Sequence, residues 1–205
     1  PGGPGDQLHT ISGLLQLGEV EEAGNVIGTL TRRRAEISDF VLARIDDPAV
    51  AALLVAKTSL AVERRVDLAL SADSARPRLA SELSADLGTV LGNLVDNAVE
   101  AVVSAGGPGR VDVHLTQIDG VVILRVSDSG HGVPNAQHES IFSRGFSTKP
   151  TDASGRGVGL ALVQVICERR GGSVAVHNDH GAVFTVRLPH EEGTAWRAPA
   201  NLEAD

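Results

Sequence analysis

Leu91-Gly92-Asn93-Leu94-Val95-Asp96-Asn97-Ala98-Val99-Glu100-Ala101 decides how the rest of the chain reads. Together with Leu87, Val90 and Val102, the residues Leu91, Leu94, Ala98 and Ala101 make an apolar stripe at spacings of three and four. That is the period of a helix with one buried face. Asn93 and Asn97, four apart, stack on a neighbouring face. A carboxamide at the margin of a buried stripe offers a neutral carbonyl oxygen and two donors. Such an oxygen suits a hydrated Mg²⁺ carrying nucleotide phosphates, because Mg²⁺ takes oxygen ligands and keeps most of its water. Two amides that merely border a core would give the same pattern. The stretches downstream decide between the two.

Asp128-Ser129-Gly130-His131-Gly132 follows directly on a predicted strand. A carboxylate at a strand end can accept from an exocyclic amino group, and the two glycines let backbone approach a flat ring. Gly155-Arg156-Gly157-Val158-Gly159-Leu160 opens a helix. Glycines there expose N–H groups and the positive end of the helix dipole, which together suit phosphate. No Gly-Lys-Ser/Thr follows, so this is not a Walker motif. Between them lies Ile141-Phe142-Ser143-Arg144-Gly145-Phe146-Ser147-Thr148-Lys149, with two of the chain's four Phe. Phe142 and Phe146 read as anchors of a mobile lid, and Lys149 as a point charge for phosphate. Each stretch alone also fits an ordinary turn, helix start or pinned loop.

The totals are compatible with one domain and a helical appendage within 205 residues. Hydrophobic residues make up 42% and aromatics 2%, so the expected core is aliphatic. A net charge of -8 argues against a nucleic-acid surface. The one cysteine, Cys167, excludes an internal disulfide and fits a reducing compartment. No apolar run is long enough to span a membrane, and the start does not read as a secretory leader.

Pro1 to Gly5 looks like a linker or tag rather than a helix start. From Asp6 the pattern turns helical, Gly18 breaks it, and a second amphipathic helix runs to about Ile45. A helical hairpin has no interior of its own, so its stripes must meet another surface. The expected solution is a four-helix bundle between two chains, with Leu14, Leu17, Ile27, Leu30, Ile37 and Val41 in its core. Packing onto the body of the same chain is the alternative. Asp46-Asp47-Pro48 starts a third helix, with Pro in its first turn. Then come a strand over 66–70, the Asn helix, two strands joined at Asp119-Gly120, a helix to Arg170 and two closing strands. Strand, helix, two strands, helix, two strands predicts an α+β two-layer sandwich with helices gathered on one face. The expected division is a hairpin over 1–46, a body over 47–190 and a polar tail over 191–205.

In order and spacing, these stretches together resemble the nucleotide-binding fold of sensor histidine kinases, type II topoisomerases, mismatch-repair ATPases and Hsp90 chaperones. The resemblance implies a Bergerat-type ATP-binding fold with a mixed sheet. It also implies roles. Asn97 matches the Mg²⁺-binding Asn, Asp128 the adenine-reading Asp, and Gly130 and Gly132 the first glycine box. Phe142 and Phe146 match the phenylalanine box, and Gly155, Gly157 and Gly159 the second glycine box, with Arg156, Val158 and Leu160 among them. Hydrolases of this superfamily carry a general-base Glu four residues before the metal Asn. Here Asn93 stands there and cannot take a proton, as in the kinases.

Leu8-His9-Thr10-Ile11-Ser12-Gly13-Leu14-Leu15-Gln16-Leu17-Gly18-Glu19 and Asp47-Pro48-Ala49-Val50-Ala51-Ala52-Leu53-Leu54 resemble the citrate and C4-dicarboxylate sensor kinases. In that family the phosphoacceptor His lies seven residues before the place of His9. Gly2 holds that place here, so this stretch is expected to lack its acceptor, with His9 as a remote substitute. The resemblance implies a cytoplasmic, ATP- and Mg²⁺-dependent protein-histidine kinase, with Asn93 and Lys149 at the reacting end. Its expected partners are a second copy, through the hairpin, and a response-regulator receiver domain, with a membrane met only through upstream segments. An ATP hydrolase of the same superfamily and a non-catalytic dimeric scaffold are the rival readings.

Overall fold

The computed structural model describes residues 4–74, 79–143 and 159–190. Helices α1 (Pro4–Gln16) and α2 (Val20–Leu42) are joined through Gly18, whose φ of +79° favours glycine. α1 begins at Pro4, two residues ahead of the expected start. Proline is tolerated at a first helical position because the N–H it lacks would have no partner there. α3 spans Pro48–Glu63, β1 Val66–Leu70 and α4 Ser81–Ser104. β2 (Gly109–Ile118) and β3 (Val121–Asp128) follow, then α5 (Gly159–Arg169), β4 (Ser173–Asn178) and β5 (Ala182–Pro189).

The five strands form one mixed sheet in the order β1-β2-β3-β5-β4, parallel only between β1 and β2. Asp119 and Gly120 join β2 to β3 with φ of +49° and +73°, the handedness of a tight two-residue hairpin. Val111, Val113 and Leu115 of β2 alternate with half-buried neighbours. Val122, Leu124 and Val126 of β3 alternate with the less buried Ile123, Arg125 and Ser127, and Asp128 continues their period of two into the buried face. The apolar side chains of β2 and β3 and Phe184, Val186 and Leu188 of β5 share one cluster with Leu87, Leu91, Leu94 and Ala98 of α4 and Val163 and Ile166 of α5. Cys167 belongs to it too, and burial, with Glu168 nearby, pushes its thiol up to about 12.

The foot of α2 is part of this body. Val41 and Ile45 join the same cluster as α3 and α4. Val41 therefore packs onto its own chain and is withdrawn from the expected bundle core. Asp47 is buried, and its Oδ1 accepts from the Val50 N–H and from Ser84 Oγ, both at 2.9 Å. One carboxylate thus caps α3 and ties it to the first turn of α4. Arg44 stacks on Phe40 at 3.6 Å. Farther up, Leu15, Leu17, Val20 and Ile27 are exposed; the Leu30 side chain lies outside the described ones. Among the described residues no helix is long and apolar enough to cross a membrane.

Candidate functional site

α4 carries the two asparagines on a half-buried face. Asn93 Nδ2 donates to the Thr89 carbonyl at 2.8 Å, within its own helix. Its Oδ1 then faces the first residue of α5: a Cβ on Gly159 would lie only 2.7 Å from it. A side chain there would have to displace the Asn93 carboxamide. Two turns on from Asn93, Ala101 meets the Asp128 loop, where a Cβ on Gly130 would lie 3.0 Å from Ala101 Cβ. Asn97 lies midway, and its side chain makes no hydrogen bond among the described residues. Eight residues of helix separate the two glycine contacts by about 12 Å. That is close to the span of a nucleotide from base to phosphate.

Asp128 sits at the C-terminal end of β3, 7% exposed. Its Oδ1 accepts from the N–H groups of Gly130 at 2.8 Å and Ala182 at 3.4 Å. Oδ2 has no partner among the described residues and is free to accept from a ligand. Burial pushes the carboxyl above the ordinary aspartate range, and the two N–H groups pull less strongly the other way. Gly181 presses against the same residue from the turn before β5. A Cβ there would lie 1.8 Å from the Asp128 carbonyl oxygen, so a side chain cannot fit.

Ser129 pairs back to β2, its Oγ accepting from the Arg110 N–H at 2.9 Å. Gly132 has φ of +74°, and His131 is exposed. Phe142 packs in the core, edge-on to Phe184 with ring centroids 6.2 Å apart. Leu160 is half-buried against the core at the start of α5. Phe146, Lys149, Gly155, Arg156, Gly157 and Val158 lie outside the described residues.

Several contributors escaped the sequence reading. Lys57 of α3 bonds both Asp96 carboxylate oxygens, at 2.6 and 2.7 Å, next to Asn97. The lysine stem passes over Gly92, where a Cβ would meet Lys57 Cε in ordinary contact at 3.9 Å. Asp86 near the start of α4 is held by Arg169 at 2.5 Å and by Arg170, at the end of α5. Burial alone would raise Asp86, but the two guanidinium groups outweigh it and hold the carboxyl below its ordinary value. α5 is therefore fixed to α4 at both ends, by Gly159 on Asn93 and by the arginines on Asp86. Only the acidic and basic residue types were visible beforehand; their pairing across 83 and 84 residues was not.

The family model for "Histidine kinase-, DNA gyrase B-, and HSP90-like ATPase" matches residues 82–192. A probable C4-dicarboxylate sensor kinase of Halalkalibacterium halodurans is 35% identical over 92% of this chain and 36% of its own length. Sensor histidine kinase DcuS of Escherichia coli K12 is 36% identical over 90% of this chain and 34% of its own. The chain thus spans about a third of the length of these relatives. The nucleotide-free catalytic domain of histidine kinase ThkA superposes with a TM-score of 0.59 at 28% identity, over 69% of this chain and 90% of that domain. Full-length ShkA in complex with AMPPNP gives 0.58 at 27%, over 69% of this chain and 29% of ShkA. The chain belongs to the histidine kinase-, DNA gyrase B- and HSP90-like ATPase family, on the branch of the citrate and C4-dicarboxylate sensor kinases.

Proposed function

We propose that this chain binds ATP between α4, the Asp128 loop and the start of α5, and passes the γ-phosphoryl group to a histidine. A response-regulator aspartate would receive it next. One observation carries the reading: a buried carboxylate with a free oxygen at one end of the asparagine face, and a helix start at the other. Asp128 Oδ2 accepts from the exocyclic amino group of adenine. Gly130 and Gly132 let the base lie against backbone. The start of α5 presents N–H groups to phosphate; the resemblance to the family would add Lys149, Gly155 and Gly157 as phosphate-binding residues.

The unengaged Asn97 carboxamide fits Mg²⁺, which would screen the phosphate charges. Asn93 cannot act as a base, and its amide is tied to Thr89, so water at the γ-phosphate is not activated from this position. Catalysis is then positioning and charge stabilisation. The hairpin over residues 1–46 would pair two copies through Leu14, Leu17, Ile27, Leu30 and Ile37. The body over 47–190 would carry the nucleotide.

Calorimetric titration with ATP and GTP, with and without Mg²⁺, tests the site. Adenine specificity and an Mg²⁺-dependent part that disappears in Asn97→Ala are expected. Equal affinity for ATP and GTP would sink the assignment of Asp128. Incubation with γ-labelled ATP tests the chemistry. With Gly2 at the acceptor position no acid-labile label is expected, whereas Gly2→His with helix-forming residues at 3–5 should acquire it. Label on the unaltered chain that vanishes in His9→Ala would make His9 the acceptor.

A further inference from the structure

Asn178, the last residue of β4, reaches the far end of the loop that begins at Asp128. Its Oδ1 accepts from the Val133 N–H at 2.9 Å and its Nδ2 donates to the Val133 carbonyl at 2.7 Å. One carboxamide thus satisfies both backbone groups of one residue, the pairing that a neighbouring strand would otherwise supply. A Cβ on Gly132 would lie 2.7 Å from Asn178 Oδ1. The glycine permits the close approach and the amide holds it. His138 Nε2 meets the same Val133 carbonyl at 3.0 Å, leaving the N–H to Asn178 alone.

The same turn also grips the loop's other end. Gly181 abuts the Asp128 carbonyl, and the Ala182 N–H bonds Asp128 Oδ1. Both ends of the Asp128 to Val133 segment are therefore referenced to one turn. The Asp128 end is set by the Gly181 backbone and by the Asp128 carboxylate itself. The Val133 end depends on exchangeable side chains: His138 meets the carbonyl, and Asn178 alone engages both the carbonyl and the N–H.

We propose that Asn178 is a positioning residue of the nucleotide site, which sets the exit of the Asp128 to Val133 loop and with it the wall beside the base. The inference rests on the reading of Asp128 as the base acceptor. Asn178 does not touch the ligand. It acts by keeping Gly132 and Val133 in the one arrangement that leaves room for a flat ring next to Asp128. Losing two backbone bonds of this kind should cut the population of the held loop roughly five- to ten-fold. A role confined to stabilising the turn would lower the melting temperature and leave nucleotide affinity of the folded chain unchanged.

The test is titration of the unaltered chain, Asn178→Ala, Asn178→Asp and Asp128→Ala with ATP, ADP and GTP, with amide exchange followed at Val133. Asn178→Ala should weaken ATP and ADP by the same factor, about five- to ten-fold, and narrow the preference over GTP. Exchange of the Val133 N–H should speed up in parallel. Asn178→Asp keeps the acceptor and loses the donor, so it should fall between the two. If the Ala variant fails to fold, the Asp variant and its exchange rates carry the test. Unaltered ATP affinity in the folded Asn178 variants, with Asp128→Ala still weakened, would overturn the role of Asn178 alone. An unaltered chain that does not distinguish ATP from GTP would overturn the base reading and this inference together.

Discussion

The Asp128 to Val133 loop and the upper part of the α1–α2 pair sit at opposite ends of a scale of constraint. In the loop, backbone groups are bonded by Arg110, Asp128, Asn178 and His138, and glycines allow contacts that no side chain could fill. In the helices, Leu17 and Val20 are 78% and 66% exposed. The loop derives its shape from its own chain. The helices leave apolar surface whose burial needs something else.

The largest expected effect comes from breaking the tight side at its closest contact. Gly181→Ala places a Cβ inside the Asp128 carbonyl oxygen, on a backbone with φ of +156° that favours glycine. A loss of about 3 kcal/mol or failure to fold is expected in urea unfolding, because neither strand end can move freely.

Next comes the clamp between α4 and α5. Asp86→Asn should cost about 1–3 kcal/mol at neutral pH, since Arg170 loses a charged partner at a mostly buried position. The lowered carboxyl stabilises the fold above its ordinary value of 3.8, and that contribution disappears as pH falls through the lowered value. The stability gap between the native chain and Asp86→Asn should therefore close in strong acid. A gap that persists there would mean the asparagine acts through packing instead.

Asp128 sharpens the comparison, because function and stability should move in opposite directions. Its raised carboxyl means that ionisation at neutral pH works against folding. Asp128→Asn keeps an oxygen for the Gly130 and Ala182 N–H groups and removes the charge. Thermal unfolding at pH 7 should shift upward by a degree or two, roughly. ATP affinity should fall by about 1–3 kcal/mol, because the amide presents no second carboxylate oxygen.

The smallest effect on the fold should come from the exposed helices. Leu17→Glu should change urea stability by less than about 0.5 kcal/mol, as surface substitutions usually do. Light scattering should nevertheless show it releasing monomers that still bind ATP. A monomeric unaltered chain at micromolar concentration would count against the bundle.

Much of this was legible in the residues. The alternation Val122, Leu124, Val126 already carried Asp128 to the buried face, and Asp119-Gly120 announced the tight hairpin. The asparagine stripe foretold α4 within a few residues at each end. What stayed hidden is contact between distant residues. Asn178 belongs to no motif of its own, and nothing local says that its amide spans 45 residues to Val133. Val41 fitted the apolar stripe of α2 equally well facing a partner chain or its own body. Helical periodicity identifies a buried face without saying what covers it. Pro4 was misread for a different reason: glycine and proline signal breaks, yet proline also starts helices.

Asp47 gives the junction below α2 a mechanical character. Five residues, Ala43 to Asp47, separate α2 from α3, and Ile45 among them is seated in the core. The Asp47 carboxylate grips both α3 and Ser84 of α4. Such a joint has almost no slack: a twist or shift applied to α2 loads the root of the asparagine-bearing helix instead of being taken up by a tether. The coupling is stiff at the joint and compliant only through bending of α2 itself. A glycine-rich insertion after Leu42 would turn this crankshaft into a loose chain.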